Sequence, residues 1–192
     1  MRFAETSIGG AFLIEPEPRG DDRGWFARVW CRDEFQAHGL DANFVQCNNS
    51  YSRDAGTLRG LHYQAAPHEE AKLVRCLRGA IYDVIVDVRP DSPTYGQWFG
   101  VELTAADRRM LYVAPGLAHG FQALVPETEV MYPVTAAYAP QAERGLRWND
   151  PFFAIVWPLA DRAILSPKDQ AWPDFVPERA RAASVGDAPR ES

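Results

Sequence analysis

Residues 80–88 alternate with a period of two, which commits this stretch to an extended strand. Tyr82, Val84, Val86 and Val88 project to one side, and Ile81, Asp83, Ile85 and Asp87 to the other. The same reading predicts strands over 98–103, 110–113, 121–125 and 130–136. It also predicts one over 25–30, where Phe26, Arg28 and Trp30 share a face. Turn formers separate the runs: Arg89-Pro90-Asp91-Ser92-Pro93, Ala114-Pro115-Gly116 and Val125-Pro126. Many short strands with closely spaced turns fold as a sandwich or barrel. Helices are few. Residues 33–38 can form one, with Asp33 near its start and Gly39 just past its end. A second can begin at Ser166-Pro167-Lys168-Asp169, where Ser caps and Pro suits the first turn. Beyond Pro177 the chain turns small, charged and Ala-rich. Residues 1–177 are therefore expected to form a single domain and 178–192 a disordered tail.

A length of 192 residues fits one domain with a sizeable core. The formal charge of −6 argues against a general nucleic-acid binder, which is usually basic. An anionic small substrate stays open, because local Arg and Lys clusters decide that. Cys31, Cys47 and Cys76 form no CxxC pair, and residues 1–10 lack the pattern of a secretory signal. Reduced thiols in a cytoplasm are the expectation. No apolar stretch approaches the roughly 20 residues a membrane helix needs.

Four histidines are candidates for chemistry. His38 falls on the polar side of a short helix, and His68 in a loop before Glu69-Glu70; both read as surface residues. His62 and His119 sit beside glycines, in Gly60-Leu61-His62-Tyr63 and Gly116-Leu117-Ala118-His119-Gly120-Phe121. Glycine lets backbone or ligand approach closely. Two packed core histidines bonded to backbone carbonyls fit the pattern equally well. A metal site needs three or four convergent ligands. The His-x-His of metal-binding cupins is absent, since Gln64 follows His62 by two, so no metal is expected.

A set of collinear blocks is far more specific. Arg59-Gly60-Leu61-His62-Tyr63-Gln64, Glu70-Ala71-Lys72-Leu73-Val74-Arg75-Cys76, Asp83-Val84-Ile85-Val86-Asp87-Val88-Arg89 and Ser92-Pro93-Thr94-Tyr95-Gly96 come first. Pro115-Gly116-Leu117-Ala118-His119-Gly120-Phe121, Glu143-Arg144-Gly145-Leu146-Arg147-Trp148-Asn149-Asp150-Pro151, Trp157-Pro158 and Leu165-Ser166-Pro167-Lys168-Asp169 follow. Together, over roughly residues 9–175, they resemble the dTDP-4-dehydrorhamnose 3,5-epimerases. The resemblance implies an all-β, double-stranded β-helix fold (the cupin-type jelly roll), a homodimer, and no metal or other cofactor.

It also implies the chemistry. The substrate would be a nucleotide-linked 4-keto-6-deoxyhexose whose C3 and C5 hydrogens flank the ketone. Removing either gives an enolate, so the site needs a base, a group for the oxyanion and an acid on the opposite face. By resemblance His62 is the base, oriented by Asp169, and histidine suits that task because its pKa lies near operating pH. Lys72 is placed near the sugar O4, Tyr132 is the proton donor, and Tyr138 stacks on the nucleotide base. Arg23, Arg59, His119 and Lys168 match substrate-contacting positions, with Gln46, Asn48 and Glu143; Phe26 and Arg28 lie in the same binding segment. Bland readings stand beside these: Asp169 as a helix cap, Lys72 as a strand-edge cation, Tyr132 as a core tyrosine, the arginines as solvated charge.

Two positions depart from the family pattern. Arg28 stands where Arg23-Gly24-Trp25-Phe26-Ala27 is typically followed by Glu, and Cys47 replaces an acid between Gln46 and Asn48. Both changes would remove negative charge from the binding shell, which raises the idea of a different nucleotide or sugar. Inversion at C3 or C5 alone, a non-catalytic sugar-nucleotide-binding cupin and a metal-dependent cupin enzyme are the competing functions.

Overall fold

The alternating runs pair into two sheets. The computed structural model describes residues 1–177; the expected tail lies outside the described residues. In chain order the strands are β1 (Arg2–Glu5), β2 (Phe12–Glu15), β3 (Arg19–Asp21), β4 (Gly24–Phe26), β5 (Gln46–Ser52), β6 (Leu58–Gln64) and β7 (Lys72–Arg78). Then come β8 (Ala80–Asp87), β9 (Trp98–Thr104), β10 (Met110–Val113), β11 (Leu117–Ala123), β12 (Thr128–Val134) and β13 (Glu143–Gly145). The helices are α1 (Arg32–Ala37) and α2 (Pro167–Gln170). One sheet has six strands in the order β1-β2-β10-β7-β12-β5, and the other five in the order β13-β6-β11-β8-β9. From β5 onward the chain changes sheet at almost every step, and neighbouring strands are antiparallel. That is the jelly roll of the cupin type.

Strand β8 of the five-stranded sheet is buried on both faces. Ile81 and Ile85 of β8 join Leu73, Leu111, Leu117 and Val130 in the core between the sheets. Val84 and Val86 of the same strand face outward, where Leu146, Phe153 and Trp157 of the C-terminal segment cover them. Both faces of residues 80–88 are apolar for this reason. Each such side chain taken fully out of water contributes about 1.5–3 kcal/mol before entropy is counted.

The turn after β8 is held by a buried carboxylate. Asp87, with no solvent exposure, accepts from Arg89 Nε at 2.9 Å, Ser92 Oγ at 2.5 Å and Thr94 Oγ1 at 2.6 Å. Burial pushes this carboxyl up, but those hydrogen bonds outweigh it and hold its pKa down to about 2. Its folded pKa lies below its unfolded value of about 4, so the stabilisation is complete above pH 4 and lost as pH falls toward 2, on the order of 2 kcal/mol. Denaturant unfolding from pH 7 to 2 checks this. Asp87→Asn should be less stable at pH 7 and show a flatter acid limb. Parallel acid limbs in the two proteins would rule the network out as the source.

Two expectations need correcting. The strand expected over 25–30 stops at Phe26: β3 and β4 form a two-stranded ribbon outside both sheets, so nothing continues the pairing. Its apolar side chains stay exposed, Trp25 at 50% and Phe26 at 76%. Residues 27–30 run irregularly into α1, where Arg28 pairs with Glu34 at 2.7 Å. The strand expected from 121 begins at Leu117 instead, so His119 lies within β11.

Candidate active site

The site forms around β6, which pairs β11 on one side and β13 on the other. Its register sets His62 opposite both His119 and Gly145. Between His119 and Phe121 the register slips, leaving an extra residue in β6 at Gly60 and Leu61. A bulge of this kind resets the alternation. Arg59 and His62 therefore both line one cavity, while Leu58 and Leu61 both bury on the opposite face. Glycine is required at position 60. Its φ is +119°, and a Cβ there would lie 2.5 Å from the Gly120 Cα and 2.8 Å from the His119 carbonyl oxygen.

Helix α2 packs against β6 and delivers Asp169. The Asp169 backbone N–H donates to Ser166 Oγ at 3.1 Å, which caps the helix. Its carboxylate Oδ1 stands 2.6 Å from His62 Nε2. Cap and dyad thus use different atoms of one residue. Burial pushes the Asp169 carboxyl up, but the hydrogen bond and charge of His62 outweigh it and leave the pKa below the ordinary carboxylate value. Trp172 lies over Gly145, where any Cβ would collide with it, and its ring meets His62 edge-on at 6.4 Å.

A cavity of about 510 Å³ opens over this pair, within the range that holds small ligands. On β5, Gln46 and Asn48 face it and are joined at 2.8 Å, while Cys47 alternates to the exposed side. On β7, Lys72 is buried and forms an ion pair with Glu70, a second lining residue. On β12, burial of Tyr132 raises its phenol above the ordinary value; the nearby Glu70 charge adds to this and Arg59 opposes it. On β11, His119 Nε2 lies 2.6 Å from Oδ1 of the fully buried Asp83. Toward solvent, Glu143 meets Tyr138 Oη at 2.6 Å and Lys168 Nζ at 2.5 Å. Burial raises the Glu143 carboxyl, but Lys168 and Tyr138 outweigh it and the net shift is downward. Arg59 Nη2 donates to the Tyr51 carbonyl at 3.0 Å.

Arg23, Phe26 and Arg28 are not brought here. Arg23 pairs with Asp21 on the exposed β3–β4 ribbon, and Arg28 with Glu34. The departures at Arg28 and Cys47 therefore take no charge from this chain's cavity, contrary to the expectation above. Sequence reasoning did not assign the lining residues Ser50, Tyr63, Gln64, Glu70, Phe121, Val134 and Ser166, nor Asp83 and Trp172 beside them. Asp83 left one signal, an acid on the face of β8 that also carries Ile81 and Ile85. Among the described residues, no three His, Cys, Asp or Glu side chains gather where they could hold a metal ion.

The dTDP-4-dehydrorhamnose 3,5-epimerase family model matches residues 5–176. The chain belongs to this family. Among its dTDP-4-dehydrorhamnose 3,5-epimerase relatives, that of Sinorhizobium fredii is 45% identical, the match covering 91% of this chain and 90% of that one. The dTDP-4-dehydrorhamnose 3,5-epimerase of Bacillus anthracis, solved with TDP and pyrophosphate bound, superposes with a TM-score of 0.87 at 46% identity, covering 91% of this chain and 99% of its own. A 3′-monoepimerase from Streptomyces bikiniensis, solved with dTDP-quinovose, gives 0.82 at 36% identity, covering 94% and 89%. This dTDP-4-dehydrorhamnose 3,5-epimerase family member thus shares its fold with enzymes that invert two centres and with one named for inverting one.

Proposed function

We propose that the chain epimerises a dTDP-linked 4-keto-6-deoxyhexose at C3 and C5, converting dTDP-4-dehydro-6-deoxyglucose to dTDP-4-dehydrorhamnose. The observation that carries this reading is the His62–Asp169 pair, 2.6 Å apart, in a cavity also lined by Lys72 and Tyr132. Nε2 of His62 donates to Asp169, so Nδ1 takes the proton from carbon. The electron pair of the broken C–H bond moves onto O4, where the Lys72 ammonium meets it. Tyr132 returns a proton from the other face, and inversion results. The ketone itself is the electron sink, so the reaction asks for no cofactor and no metal.

Arg59 and His119 are assigned to the diphosphate, Tyr138 to stacking on the base, and Gln46, Asn48, Glu143 and Lys168 to the remaining polar groups. The exposed ribbon suggests where Arg23 and Phe26 act: in a homodimer it would lie over the partner's cavity, and Arg28 would travel with it. The reading includes one catalytic domain over residues 1–177, a cytoplasmic location and no nucleic-acid partner. Among the described residues no helix is long and apolar enough to cross a membrane.

The test is a binding and turnover series with dTDP-, UDP-, GDP- and CDP-linked 4-keto-6-deoxyglucose, followed by calorimetry and NMR. The dTDP substrate should be preferred at least about tenfold in kcat/KM, roughly 1.4 kcal/mol of discrimination. Equal or better use of another nucleotide would overturn the dTDP assignment. Inversion at one carbon is the second reading, favoured by the likeness to the monoepimerase.

A further inference from the structure

Every acid that lines the cavity has a basic partner there. Asp169 takes His62, and Glu143 takes Lys168. Glu70 takes Lys72, and neither the dyad nor the mouth of the cavity accounts for that pair. The backbone fixes it. Between the two residues, Ala71 is fully buried and clamped twice to Thr135: its N–H donates to Thr135 Oγ1 at 2.9 Å, and its carbonyl accepts from the Thr135 N–H at 3.1 Å. In extended backbone, residues two apart point the same way, so Glu70 and Lys72 both face the cavity. The register of β7 on β12 sets Lys72 opposite Val134, two residues from Tyr132 and on the same wall. The two side chains are 13% and 8% exposed, so the pair is shielded from water.

We propose that Glu70 is a positioning residue for the reaction: its carboxylate holds the Lys72 ammonium against the Tyr132 wall of the cavity and sets a fixed negative charge beside the phenol. This rests on the roles given to Lys72 and Tyr132 above. A lysine on four rotatable carbons loses several rotamers when one of its three protons is tied to a carboxylate. Two protons remain for the developing oxyanion. Without the carboxylate, a buried ammonium would be left unpaired and free to leave that wall.

The charge does a second task. Tyr132 is raised first by burial and then by Glu70, with Arg59 pulling the other way. Glu70 and Arg59 are the charges that act on the phenol, and Lys72 shares its wall; Arg75 and Arg78 of β7 stand opposite Met131 and Glu129, and the β5 partner of Tyr132 is the neutral Asn48. A phenol that keeps its proton through the neutral range stays competent as an acid.

The experiment uses the full-length protein with Glu70→Gln and Glu70→Asp, their folding checked by thermal melts. Two quantities are read: kcat and KM with the dTDP-linked 4-keto sugar, and Tyr132 ionisation from ultraviolet difference titration against Tyr132→Phe without substrate. Glu70→Gln should lower kcat about 10- to 100-fold, the scale of displacing one reacting group, with KM within about threefold. Its Tyr132 titration should move to lower pH, and Glu70→Asp should restore part of both effects. An unmoved titration, or a Glu70→Gln kcat within threefold of wild type, overturns the proposal. The titration needs no turnover. If Tyr132→Phe proves fully active, the donor assignment fails, while the hold of Glu70 on the phenol is still decided by the spectrum.

Discussion

Replacing His62 by Gln is expected to lower kcat by about a thousandfold or more while dTDP binding stays within about threefold. General-base catalysis is worth roughly 10²–10⁴, and His62 is the one base assigned to the reaction. Gln can set its amide N–H where Nε2 stood, so the buried carboxylate is not left unpaired, a loss that would cost stability for reasons unrelated to catalysis. The register across β6, β11 and β13 does not depend on the imidazole. A melting temperature near wild type and unchanged calorimetry with dTDP would then isolate the chemical step. Residual turnover within about tenfold of wild type would show that another group takes the proton.

Tyr132→Phe should separate exchange from inversion. His62 still removes the proton in this variant and can return it, or one from solvent, to the same face. Hydrogen at the reacting carbon therefore washes into D2O, while conversion to the inverted sugar falls by about 100-fold or more. The phenol lies in a wall shared with Val134, and removing one oxygen leaves the packing intact. Inversion at the wild-type rate would return Tyr132 to the role of a core tyrosine. Loss of exchange together with inversion would mean that Tyr132 serves abstraction as well.

The sequence was readable where one face of a strand meets the core. β8, β9, β10 and β12 show in the alternation because their inward positions carry Ile81, Ile85, Leu103, Leu111 and Val130, whereas β11, buried throughout, showed only from Phe121 on. The strands that build most of the site did not show. β5 has polar residues toward the cavity and solvent on its other face, so no apolar period survives in Gln46–Ser52. β6 has a bulge, which places Arg59 and His62 on one side although they are three positions apart. In β7, Lys72 to Val74 are all buried, so the cation in that run gave no clean pattern.

The site was legible through its ordered motifs rather than through period. Those motifs named eleven residues that the fold gathers into one cavity, from Gln46 to Asp169. They could not name Glu70 or Asp83 as partners, because each pairing depends on how strands register across the sheets. Nor could they place Arg23 and Phe26, which sit on a ribbon that pairs with neither sheet, or Arg28 in the irregular stretch that follows it.

Solvent exchange tests the central claim most directly. The wild-type protein, treated with a chelator, is incubated with dTDP-4-keto-6-deoxyglucose in D2O, and C3 and C5 are followed by NMR. Deuterium should enter at both carbons as the inverted sugar appears, and chelator should change neither rate. Tight binding of the substrate with no deuterium at either carbon would contradict a proton-abstracting role for His62 and leave a protein that only holds the nucleotide sugar.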